Sequence, residues 1–324
     1  MLHVLAALLP GLCLSVYLFG ISVLIQVGLA TLTAYLCEYA MLRLRGVAVA
    51  PFLRDGSACV TAFLIGLAFP PLAPWWLVVV GTFFAIVIAK HLYGGLGNNP
   101  FNPAMVAYAA MLVSFPAQMS GWAPPHLSLS GSEQWLWIMA RQLPEGMALD
   151  AMASATPLDY LKTQLLGGHT TESILAAARY GRWAGASVEW LGVAWLLGGL
   201  YLLAKRLITW HAPVAMLATI GALSAGFWLW DSAHYVSPCF HLLAGATMFG
   251  AWFIVTDPVS GSTTPLGKLI FGAGVGALVY VIRVWGGFPD AVAFAVLVMN
   301  IAVPLIDRYT RPASFGRQKK GRPL

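Results

Sequence analysis

The segment Asp150-Ala-Met-Ala-Ser154-Ala155-Thr156-Pro157-Leu158-Asp159 carries side chains whose types and spacing point to chemistry. A threonine followed by proline and, three residues on, by an acid reads as a helix start. Thr156 would be the N-cap, Pro157 the first helical residue and Asp159 the partner in a variant capping box, with the helix running through Leu161 to Leu166. The same placement suits an anion. Backbone N–H groups and the helix dipole converge on the N-cap oxygen, so a phosphate ester on Thr156 would meet a favourable field.

Two other polar segments interrupt apolar sequence. His91-Leu-Tyr-Gly-Gly-Leu-Gly-Asn-Asn-Pro-Phe-Asn-Pro103 follows a predicted helix ending at Lys90, and Thr256-Asp-Pro-Val-Ser-Gly-Ser-Thr-Thr-Pro-Leu-Gly267 follows one ending near Val255. Each is a break between membrane segments at a corresponding place in its half, which is the sequence pointer to a repeat-built membrane fold with a binding site at the repeat interface. Asn98, Asn99 and Asn102 could line such a site, and Gly-Asn-Asn-Pro is equally ordinary turn chemistry. Asp257 is either functional or only the cap of a half-helix. Glu38 and Asp231, near the ends of apolar runs, read as interfacial. His211, His234 and His241 lack ligand spacing and read as core or interface residues.

The elements that must position these residues are membrane helices. Hydrophobic residues form 59% of the 324-residue chain and charged residues 9%, with a mean hydropathy of +0.77, whereas about a quarter of residues are charged in soluble domains. Apolar runs fall at 3–19, 22–42, 57–70, 75–91, 102–116, 186–203, 209–230, 238–255, 267–285 and 289–306. The expected fold is an all-α polytopic membrane protein, a single domain over 1–324 with about ten transmembrane helices in two repeat-like halves with broken helices. The opening run Leu2 to Phe19 has no basic n-region and no small-residue cleavage site, so it reads as the first span and not as a secretory signal. Cys13, Cys37, Cys59 and Cys239 show neither metal-ligand nor disulfide spacing and read as small buried hydrophobes.

A net charge of +6 does not point to nucleic acid, because most of the basic residues sit in short loops between apolar runs or in the tail. With the amino terminus inside, thirteen of the 18 basic residues share its side, including Arg43, Arg45, Arg54, Lys90 and the tail residues Arg317, Lys319, Lys320 and Arg322. Arg141, Lys162, Arg179, Arg182 and Arg283 take the other, as the positive-inside rule requires. Both termini are then cytoplasmic and the long connection 117–185 is outside, as an ordered loop.

The Asp150, Ser154-Ala155-Thr156-Pro157 stretch resembles the flavinylation motif of the D subunit of the Rnf electron-transport complex and of the B subunit of the sodium-translocating NADH:quinone reductase. The resemblance continues in Tyr93-Gly-Gly-Leu-Gly-Asn-Asn-Pro-Phe-Asn-Pro103 and Thr256-Asp-Pro-Val-Ser-Gly-Ser-Thr-Thr-Pro265 and covers nearly the whole chain. A first span beginning almost at Met1, without the extension of the quinone reductase subunit, favours the Rnf branch. The resemblance implies FMN joined through its phosphate to Thr156 in a periplasmic loop, with Ser154 and Asp150 in its site. It also implies a second, non-covalent flavin, riboflavin among the options, near Asn98, Asn99, Asn102, Asp257, Thr263 and Thr264. The implied function is that of a flavoprotein subunit of a bacterial inner-membrane translocase coupling electron transfer between ferredoxin and NAD to ion movement. Other complex subunits and membrane lipids would be the partners. The NAD and ferredoxin sites would lie on those subunits, since nothing here resembles a dinucleotide-binding Gly-rich turn. The rival suggested by the paired breaks alone is a small-solute channel or secondary transporter without a redox cofactor.

Overall fold

A computed structural model of the chain describes residues 1–143, 146–176, 184–185, 187–288 and 290–312. Arg179, Arg182 and the basic tail residues lie outside the described residues.

Two long apolar helices open the chain, α1 (Leu2–Phe19) and α2 (Ser22–Leu44). A short α3 (Val49–Arg54) leads to α4 (Ser57–Ala68). The Pro-rich turn at 69–74 then gives way to α5 (Trp75–Phe83), which continues as a π-helical stretch, Phe84–His91. After the first Gly/Asn/Pro break comes α6 (Pro103–Ser114), capped by the Asn102 side chain. The long connection folds into α7 (Pro116–Ser120), α8 (Gly131–Ala140), a 3-10 turn at Leu149–Met152, α9 (Pro157–Leu166) and α10 (Thr171–Leu175).

The second half holds α11 (Glu189–Ala204), α12 (His211–Trp230), α13 (Pro238–Leu243) and α14 (Thr247–Phe249), the last extended by a second π-helical stretch, Gly250–Ile254. After the second break come α15 (Pro265–Trp285) and α16 (Val292–Thr310). No strand occurs among the described residues. Five helices, α1, α2, α12, α15 and α16, are long and apolar enough to cross a membrane; α4, the 75–91 segment, α6 and α11 are shorter apolar helices. Each Gly/Pro break follows a π-helical stretch, and such stretches are rare and concentrate at functional sites.

Helices pack where small residues let backbones approach, as expected in lipid, where burying apolar surface alone drives little association. On α15, Gly272 and Gly276 face α12 so closely that a Cβ at Gly272 would lie 2.2 Å from the Ala212 carbonyl oxygen, and one at Gly276 2.5 Å from that of Met216. Gly198 of α11 meets α1 in the same way, 2.1 Å from the Ala7 oxygen.

Three expectations are corrected. The 238–255 run is not one helix: it breaks at Ala244, Gly245 and Ala246, where Gly245 adopts φ +62°. The freed backbone groups find internal partners, since Arg283 Nη1 donates to the His241 oxygen (2.9 Å) and Ala246 N donates to Asp290 Oδ2 (2.7 Å). Non-helical chain persists at membrane depth only with such partners. Glu38, read as an interfacial charge, is buried among the helices and paired with Lys90, which is likewise buried. Finally, Cys13 and Cys239 lie on the outer face of the chain and Cys37 and Cys59 are half-buried. The outer face of a membrane bundle is itself apolar, so a cysteine there has no need of a core.

Candidate functional site: the Thr156 cavity and the junction of the two breaks

Thr156 is the N-cap of α9, and the capping box is complete. Its Oγ1 accepts from Asp159 N (3.2 Å) and donates to Asp159 Oδ2 (2.5 Å), and Thr156 N donates to the same carboxylate oxygen (3.3 Å). The chain before it is held by an antiparallel bridge in which Ser154 N donates to the Trp122 oxygen (2.7 Å). Asp150 is exposed on the 3-10 turn. α9 is docked on the end of α15: Lys162 Nζ donates to the carbonyl oxygens of Arg283 (3.2 Å) and Gly286. Loss of water around that ammonium pushes the Lys162 pKa below its ordinary value, an effect the nearby Asp159 charge partly offsets.

Beside Thr156 lies a cavity of about 490 Å³. Ser154, Ala155, Thr156 and Asp159 form one wall, and Phe69, Tyr108, Trp122, Trp195, Phe249 and Phe288 supply aromatic surface. Gly245, Ala246 and Asp290, from the α13–α14 break and its partner, also line it, with Gly245 packed against Leu158 of α9. A volume of this size with a largely apolar, aromatic-rich lining and a few polar groups is that of a small-molecule site. A flavin ring system fits this description, and the Thr156 hydroxyl at its edge is an alcohol that a phosphate can esterify.

The second candidate site is the meeting of the two breaks. Asn102 Nδ2 donates to Asp257 Oδ2 (3.3 Å), joining residues from opposite halves of the chain. Asp257 also accepts from Ser260 Oγ (2.7 Å) and Val259 N (3.0 Å). Asn300 of α16 ties the pair together: its Oδ1 accepts from Asn102 N (3.1 Å) and its Nδ2 donates to the Ser260 oxygen (3.0 Å). Of the other candidates, Asn99 is buried and turned onto the Phe101 oxygen, while Asn98 is exposed. Thr263 and Thr264 face α16 instead. Thr263 N and Oγ1 donate to Asp307, as does Ser262 Oγ, and Thr264 Oγ1 bonds Thr310 Oγ1 (2.6 Å) while capping α15.

Asn300, Asp307, Asp290 and the Arg283 that holds it carry roles the sequence reading did not assign. Asn300 and Asp307 were discernible as polar residues seven apart in an otherwise apolar run, hence on one helix face. Arg283 and Asp290, each a charge inside an apolar run, carried the same kind of signal, but they lie on different runs and nothing local showed that they pair.

A bundle of apolar helices, five of them long enough to cross a membrane, with a buried polar junction and an aromatic cavity beside a capped threonine, is the architecture of a multi-pass membrane protein. Comparison with known sequences makes this specific: the model of the NQR2, RnfD, RnfE family matches residues 1–316, and the chain belongs to that family. It is 50% identical over 327 residues to the D subunit of the ion-translocating oxidoreductase complex of Aliivibrio salmonicida, covering 97% of this chain and 92% of that one. The D subunits of the same complex in Salmonella typhimurium and Salmonella typhi are each 49% identical over 331 residues, with 98% of this chain and 94% of theirs covered.

Proposed function

We propose that the chain is the flavin-carrying membrane subunit of an Rnf-type complex that couples electron transfer between ferredoxin and NAD to ion translocation, with FMN esterified through its phosphate to Thr156. The observation that carries this reading is the aromatic cavity opening directly beside a threonine at a helix N-cap. Bound there, a flavin would supply one- and two-electron chemistry, while the protein sets its position, potential and access to water. Esterification removes the Oγ1 proton that now bonds Asp159. The N–H groups of the first turn of α9 and its dipole would then favour the phosphate. The bridge between Ser154 and Trp122 holds the chain leading to it, and the aromatic lining would shield the ring from water.

The same proposal places a second, non-covalent flavin or the coupling ion at the Asn102–Asp257 junction, the polar centre shared by the two breaks. It takes the ten apolar segments as spans in two repeat-like halves in a bacterial inner membrane, both termini cytoplasmic and 117–185 periplasmic. The flavin is then attached by an enzyme acting on the outer face. The partners are the other subunits of the complex, which carry the NAD and ferredoxin sites. The names of the relatives, D subunits of an ion-translocating oxidoreductase complex, support this assignment.

In-gel fluorescence tests it. The denatured wild-type polypeptide should fluoresce as a flavoprotein, and Thr156→Val should not. A colourless, non-fluorescent wild-type protein would leave the paired breaks to serve a solute transporter, and fluorescence persisting in Thr156→Val would displace the attachment point.

A further inference from the structure

Away from both candidate sites, a buried cluster of charge lies between α2, the start of α4 and the end of the first π-helical stretch. Lys90 Nζ donates to Glu38 Oε1 (2.8 Å), Glu38 Oε2 (2.7 Å) and Ser57 Oγ (3.0 Å), which uses all three of its N–H bonds. Lys90 is 2% and Glu38 1% exposed. His91, also buried, places Nε2 3.3 Å from Glu38 Oε2, while its Nδ1 lies 3.3 Å from Nη1 of the exposed Arg45. A guanidinium only donates, so Nδ1 is the acceptor and a neutral His91 carries its proton on Nε2, toward the carboxylate. Arg45, His91, Glu38 and Lys90 thus form a line from the surface into the bundle. Around it stand Asp55, whose Oδ1 accepts from Ser57 N (2.6 Å), and the side chains of Tyr35 and Cys59.

A carboxylate this deeply buried is costly without a positive partner. Glu38 must therefore hold one positive charge or a proton in every state the protein visits. Two carboxylate oxygens and a hydroxyl form a hard donor set, suited to an ammonium, a proton or an alkali cation. The present occupant is tethered to a segment with reason to move. Lys90 sits in the last turn of the π-helical stretch and leads directly into the 92–102 break, whose far end, Asn102, is bonded to Asp257. Rewinding that stretch toward α-helical geometry would change the angular position of Lys90 about the helix axis and draw its ammonium off Glu38.

We propose that Glu38 and Ser57 form an exchangeable cation site, that the Lys90 ammonium is its tethered occupant, and that a proton or a monovalent alkali cation entering past His91 replaces it when the 84–102 segment shifts. One positive charge replaces another at the carboxylate, and Lys90 keeps its proton and finds new oxygen partners or water. The inference rests on the reading of the chain as a subunit of an ion-translocating redox complex. It gives that reading a place where ion uptake is tied to movement of the segment that ends at the junction.

The test uses the whole complex in proteoliposomes and the double substitution Glu38→Gln with Lys90→Met, which removes both charges at similar volume and leaves neither unpaired. Flavin fluorescence at Thr156 reports assembly, and the readout is the number of ions moved per electron transferred. The expected result is an assembled complex in which that ratio falls several-fold below wild type. Proton uptake detected by a pH dye without sodium would identify the ion as H⁺, and labelled-sodium uptake surviving a protonophore would identify an alkali cation. A wild-type ratio in the double variant, or its failure to assemble, would make the pair a structural pin and overturn the inference alone. Absence of ion uptake by the wild-type complex would instead remove the underlying reading, and the inference with it.

Discussion

Asp257 serves two masters with one oxygen. Its Oδ2 accepts from Ser260 of its own break and from Asn102 of the other. In Asp257→Asn one of the two acceptor oxygens becomes an NH2, so either the Ser260 and Asn102 bonds or the Val259 N bond loses its acceptor, and a hydrogen bond worth about 1.5–3 kcal/mol is weakened or lost. We expect that variant to assemble and keep its Thr156 flavin while electron transfer or ion movement by the complex falls. Full coupled activity would leave Asp257 with a capping role only. Single residues were legible in the sequence in proportion to how locally their partners lie. The capping box of Thr156 joins residues three apart and could be read directly. The Asn102–Asp257 contact joins residues 155 apart, and only the parallel between the two breaks hinted at it. The Glu38–Lys90 pair, 52 apart, was invisible, because hydropathy cannot tell a charge at a helix end in water from one folded inward onto a partner.

At the scale of elements, helix existence was legible and helix continuity was not. Ala244-Gly245-Ala246 is as apolar as its surroundings, so the 238–255 run reads as unbroken; the break depends on Arg283 and Asp290 from a distant part of the chain. Gly245 is the point on which this wall of the cavity turns. An added Cβ there would lie 2.6 Å from Leu158 Cδ1 and 2.7 Å from Asp290 Oδ2, at φ +62°. We expect Gly245→Ala to cost about 1–3 kcal/mol, read as a lower thermal unfolding midpoint. Gly226→Ala is the contrast. It lies in α12 with nothing within 4 Å of an added Cβ, so the alanine should be neutral or stabilise by up to about 1 kcal/mol through helix propensity alone. Equal losses in the two variants would show that the close packing at the break has no special weight.

At the scale of the whole molecule, composition was enough to identify a helical membrane protein, because 9% charged residues cannot cover a water-facing surface of this size. The cavity was beyond reach of the sequence, since its walls come from α1, α4, α6, α9, α11 and the α13–α14 break, which only tertiary packing brings together. Its position in the proposed topology is open to direct measurement. A cysteine introduced at exposed Ser132, in a background lacking the four natural cysteines, should react with an impermeant maleimide in intact cells; reaction only after the cells are opened would invert the topology. The central claim, a covalent flavin on Thr156, is tested most directly by mass spectrometry of the purified wild-type subunit and its tryptic peptide 142–162. The expected result is an intact polypeptide heavier than its sequence by one FMN less one water, with the whole excess on that peptide and absent from Thr156→Val. A wild-type mass equal to that of the bare sequence would contradict it.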